Sequence, residues 1–134
     1  VVERLTGKLP QHVAVYRETG EPTALLARLR DADTACLVDA CVSGAEPGTV
    51  RHFNAAAAPL PQALFDVSTH GFGLAQAIEL ARALGELPPR CVVYAIEGGT
   101  FEPGARMSPA VTAAVEEVAG RLRTELAETR TMEA

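Results

Sequence analysis

The sequence contains no Trp, and four Phe with two Tyr supply its whole aromatic content of 4%. Few stacking platforms of the kind that single-strand nucleic-acid binders use are therefore present. An excess of positive charge is missing too. Twelve Lys and Arg stand against 17 Asp and Glu, for a net charge of -5 at pH 7, the wrong sign for a surface that tracks phosphates. Nucleic acid is not expected as a partner. No apolar run approaches the ~20 residues of a membrane span, and no charged-then-apolar leader is visible. No membrane partner is expected either, and a cytoplasmic location follows. Cysteine is scarce: Cys36, Cys41 and Cys91 form neither a disulfide framework nor paired CxxC zinc knuckles. Buried free thiols are the expectation. The GxGxxG fingerprint, a Walker A run and a G-x-S-x-G elbow are all absent, so dinucleotide binding, P-loop chemistry and α/β-hydrolase triads lose their strongest markers. An initiator Met is absent as well. The chain opens at Val1, inside what reads as a helix, which points to sequence missing upstream.

What is present describes one ordinary domain. The 134 residues are 48% apolar and 22% charged, enough for a core that stands without metal or disulfide staples. Short apolar, β-branched runs alternate with helical patterns, the rhythm of βαβ units around a parallel sheet. Val1 to about Lys8 reads as the end of a helix closed by Gly7 and Pro10, and His12 to Arg17 as a strand. Pro22 opens a helix to about Arg30, with Leu25, Leu26 and Leu29 on one face. Thr34 to Ala40 reads as a buried central strand, since it is apolar on both faces. A Gly/Pro turn from Ser43 to Gly48 and a short strand from Thr49 to Phe53 come next. Asn54 to Ser68, with two Pro and four consecutive Ala, reads as a long ordered loop of a length that is often functional. An amphipathic helix spans Phe72 to Leu84, ended by Gly85. Cys91 to Ile96 is a second apolar strand, and a loop from Glu97 to Met107 leads to Ser108 and Pro109, an N-cap and N1 pair. The final helix is expected to run to about Glu128 and to dock back on the sheet.

Ligands of open α/β sheets bind outside the carboxyl ends of the strands, and that rule selects few residues. Asp39 ends the central strand before the Gly-rich turn, as a crevice carboxylate or as a turn-former holding backbone amides. His70 closes the long loop just before a helix start, whose positive field keeps a nearby imidazole neutral and fit to act as ligand or base. The alternative there is a helix cap made by Ser68 or Thr69, with His70 simply exposed. Glu97 ends the Cys91 to Ile96 strand, as a wall contact or a plain turn residue. Gly44 and Gly48 flank Pro47 in a turn that suits positive φ. His12 and His52 read as structural. A Cys41 nucleophile with His70 as its base is a further possibility that no motif supports.

Taken together, Leu37-Val38-Asp39-Ala40 with Gly44 and Pro47-Gly48-Thr49-Val50, Ser68-Thr69-His70-Gly71-Phe72-Gly73-Leu74, and Ile96-Glu97 with Phe101, Gly104 and Met107-Ser108-Pro109 resemble the hydrogenase maturation proteases. These endopeptidases trim a C-terminal extension from the large subunit of nickel-iron hydrogenases. The resemblance spans nearly the whole chain. It implies a single domain over residues 1–134 with the family's phosphorylase/hydrolase-like fold, a three-layer α/β/α sandwich with a mostly parallel sheet. The activity implied is removal of the extension from a nickel-loaded large-subunit precursor by a monomeric enzyme. In the family an acidic residue near the N-terminus, an Asp after the central strand and a His before the next helix form the metal-binding site, and the last two correspond to Asp39 and His70. The implied catalytic and metal residues are thus Asp39 and His70, with nickel either recognised in the substrate or bound at the site. The Gly-Asn-rich stretch that carries the first ligand has no counterpart here, and Glu3, inside a helix, is no substitute. The first strand is therefore expected to be missing, and a chain complete at this length would be unstable and inactive. The alternative function is a non-catalytic maturation factor that docks on a metalloprotein after losing its first ligand.

Overall fold

The computed structural model describes residues 22–41, 44–61, 74–98 and 108–133. In order along the chain, these form α1 (Pro22–Arg30), β1 (Thr34–Cys41), β2 (Val50–Asn54), α2 (Leu74–Ala83), β3 (Arg90–Glu97) and α3 (Pro109–Glu133). The helix and strand expected before Pro22 lie outside the described residues. No described helix is long and apolar enough to cross a membrane.

The strands make one sheet in the order β1-β3-β2, with β1 parallel and β2 antiparallel to β3. Among the described strands β3 is the middle one, and the Thr34 to Ala40 strand is β1, paired with it along one edge. From Cys91 to Glu97 every β3 residue except half-buried Val92 is buried, whereas β1 is only half-buried over most of its length. Both runs are mostly apolar, so composition alone could not rank them. Their alternating side chains feed two cores. On one face Tyr94 and Ile96 pack against Val111, Ala114, Val115, Val118, Ala119 and Leu122 of α3. That spacing of three and four residues is a single helical stripe, so α3 docks on the sheet, as expected. It runs on to Glu133, beyond the expected stop near Glu128. On the other face Cys91, Val93 and Ala95 pack with Ala75 and Ile78 of α2 and with Ala55 and Leu60 from the segment after β2, and α1 lies against α2. Helices on both faces of a mixed sheet make the three-layer α/β/α arrangement, and each fully buried Val, Leu or Ile contributes ~1.5–3 kcal/mol to it.

Local signals place the joints. Ser108 caps α3, its Oγ accepting from Val111 N at 3.2 Å and its carbonyl from Thr112 N at 3.0 Å. At the end of α2, Gly85 adopts φ +71°, Gly85 N donates to Arg82 O at 3.1 Å, and Glu86 N donates to Ala81 O at 2.9 Å. This paired closure satisfies the last carbonyls and favours Gly at that position. Arg82 then ties the turn after β2 to α2. Its Nη2 donates to the carbonyls of Ala55 and Ala58, and its Nε to the Glu79 carboxylate.

Candidate active site

The carboxyl ends of β1 and β3 lie side by side, with Asp39 opposite Ala95 and Cys41 opposite Glu97. In β2, Arg51 is opposite Ala95 from the other side. One row across the sheet therefore reads Asp39, Ala95, Arg51. Side chains alternate along a strand, so these three, with Cys41 and Glu97, share the face that carries α2. Asp39 is half-buried and its Oδ1 accepts from Ala40 N at 2.9 Å. The turn-forming and crevice-facing readings of this residue are thus compatible, because one carboxylate oxygen holds the strand end and the group keeps further acceptor capacity.

The turn behind Asp39 is pinned at both ends. Gly48 N donates to Glu97 O at 2.8 Å, Glu97 N donates to Thr49 O at 2.9 Å, and Gly98 N donates to Cys41 O at 3.0 Å. Gly44 and Gly48 take φ +87° and +90°, as the Gly/Pro composition implies. At Gly48 space matters as well as torsion: a Cβ would come within 2.6 Å of Ala110 O, so the turn sits directly on the start of α3.

Glu97 ends its strand, as the sequence reading has it, but it lies within β3 and has no exposed surface. A buried carboxylate costs several kcal/mol unless it is compensated. Its neighbour Cys41 is also buried and points its thiol at Glu97 Oε1, 4.0 Å away. Burial pushes the Cys41 thiol above its ordinary value, Glu97 and then Asp39 add to the rise, and Arg51 opposes it. A thiol raised in this way is harder to ionise, which does not favour Cys41 as a nucleophile, and His70, the base in that reading, lies outside the described residues. All three cysteines are free, with Cys41 and Cys91 buried and Cys36 half-buried, close to the expected buried thiols. His52 lies in the middle of β2, exposed, with its ring edge-on to Tyr94 at 5.0 Å.

His70 and its neighbours Ser68, Thr69 and Gly71 lie outside the described residues, as does the loop from Gly99 to Met107. Among the described residues no group of three His, Cys, Asp or Glu is placed to hold a metal ion. The residue that sequence reasoning missed is Arg51. Its strand reads VRHFN, with apolar Val50 and Phe53 on opposite faces, so no alternation marks the face on which Arg51 lies.

The family model for hydrogenase maturation proteases matches residues 1–125. A comparison with curated proteins returned no match. Among solved structures, the chain is similar to an endopeptidase from Escherichia coli at 28% identity and a TM-score of 0.79, covering 96% of this chain and 80% of that one. It is similar also to the hydrogenase maturating endopeptidase HybD from E. coli, at 25% identity and a TM-score of 0.77 with the same coverage. With the family model matched over residues 1–125 and two endopeptidase structures sharing the fold, the chain belongs to the hydrogenase maturation proteases, a family of peptide hydrolases.

Proposed function

We propose that this chain removes the C-terminal extension of a nickel-iron hydrogenase large-subunit precursor after nickel insertion, acting as a monomer in the cytoplasm, with Asp39 and His70 as its working residues. The observation that carries the proposal is the position of Asp39. It stands at the carboxyl end of β1, one oxygen engaged by Ala40 N, with the turn beside it braced by Gly48 and Thr49 against Glu97. Ligands of open α/β sheets bind at that edge, and the scissile segment of the precursor enters there.

Asp39 and His70 offer a carboxylate and an imidazole, donor types that suit nickel either recognised in the precursor or bound at the site. A metal so placed polarises the scissile carbonyl or acidifies a bound water. The part played by this chain is to present the two donors and to fix the tail beside them.

Incubating the protein with nickel-loaded precursor, with metal-free precursor as control, and recording intact mass tests the reading. Loss of the extension from the loaded precursor alone is expected, and Asp39→Asn or His70→Ala should abolish processing while leaving the circular dichroism spectrum unchanged. Normal processing by either variant would sink the assignment. Tight binding of the precursor without any cleavage would move the chain to the non-catalytic maturation factor.

A further inference from the structure

Two buried or half-buried carboxylates, Asp39 and Glu97, stand on one face at the same end of adjacent strands. Among the described residues, the cation that shares that face and level is Arg51, two strands from Asp39 across Ala95. Two strand spacings are ~10 Å, a gap that a carboxylate and a long guanidinium side chain reaching toward each other can close. Two observations show that Arg51 reaches inward. Its Nε is buried, so the stem lies along the sheet and does not stand out into water. The residue that it must cross, Ala95, carries a single methyl and is fully buried.

Resting on the reading of Asp39 as a working residue, we infer that Arg51 is the positioning residue of the site: laid over Ala95, its guanidinium compensates the buried Glu97 and holds the Asp39 carboxylate in the crevice. The chemistry suits arginine specifically. Its planar fork engages two acceptors at once and keeps its charge when buried, whereas lysine offers a point charge. Arg51 touches no reacting atom; it acts through Asp39, on how the crevice meets the precursor.

The test is the affinity of the protein for nickel-loaded precursor, measured by calorimetry for Arg51→Met, Arg51→Lys, Asp39→Asn and the double variant Asp39→Asn/Arg51→Met. Arg51→Met is expected to weaken binding roughly tenfold, the scale of one charge-assisted contact, and Arg51→Lys to recover part of that loss. In the Asp39→Asn background Arg51→Met should weaken binding no further, because the residue it positions is gone. A merely structural role would give additive losses and no recovery with lysine. Removing Arg51 alone leaves Glu97 buried without its cation, so Arg51→Met/Glu97→Gln is the control for folding. It should melt as a cooperative unit and still bind like Arg51→Met. Full affinity in Arg51→Met or in that control, or additive losses in the double variant, would overturn the inference while leaving Asp39 in place. Full affinity and processing in Asp39→Asn would overturn the reading beneath it as well.

Discussion

Burial at single residues fixes the chemistry that this protein withholds as much as the chemistry it offers. Burial pushes Cys36 up from 9.0 to about 11, with Glu125 adding to the rise, and pushes Cys91 to about 11, opposed by Arg82. Burial, then the hydrogen bond to Glu125, raises Tyr94 from 10.0 to about 12. Each group is harder to ionise in the folded chain than in the unfolded one. The folded state therefore keeps protons that the unfolded state loses, and stability must fall as pH rises through that window. Between pH 9.0 and about 11 the urea midpoint should decline, with Tyr94 extending the decline upward. Cys36→Ala/Cys91→Ala should flatten the first part of the slope. A midpoint unchanged across the window would contradict the buried thiols.

At the scale of elements, the two turn glycines after β1 make unequal demands. Both have positive φ, but a Cβ at Gly44 meets nothing within 4 Å, whereas at Gly48 it meets the backbone of Ala110. Gly44→Ala carries only torsional strain, ~1 kcal/mol, and Gly48→Ala carries that strain plus displacement of the turn from α3, ~2–3 kcal/mol or more. Thermal melts of the two variants should rank in that order; equal losses would mean that the contact with α3 contributes nothing. These joints were readable in advance because their causes are local: Ser108-Pro109 opens α3, Gly85 closes α2, and the Gly44 and Gly48 torsions follow from a Gly/Pro-rich turn. Asp39 was readable for a similar reason, as an acid at the end of an apolar run. The order of the described strands was not, because pairing between residues far apart in the sequence decides it, as between Asn54 and Val92 or between Cys41 and Glu97. The burial of Glu97 and the inward course of Arg51 follow from that order and were hidden with it.

The described residues are held together by two cores on opposite faces of β3. Leu122 sits in one and Ile78 in the other, at 3% and 0% exposure. If the layers act as one cooperative unit, Leu122→Ala and Ile78→Ala should each cost ~2–5 kcal/mol and leave a single urea transition with an unchanged slope. A biphasic transition for either variant would show that the faces unfold separately.

The central position of β3 also sets a timetable for synthesis. As the ribosome releases this chain from its N-terminal end, β1 and β2 emerge with no described strand to pair with each other, since both of their ladders run to residues 90–97. Until Glu97 has left the exit tunnel, the row that joins Asp39, Ala95 and Arg51 does not exist. Closing contacts of such long sequence separation is slow, and the edges of β1 and β2 that pair with β3 stand open meanwhile. The nascent chain is therefore most exposed to aggregation in the interval just before its last helix appears. A chain released early, short of β3, would lack the described sheet and the candidate site together.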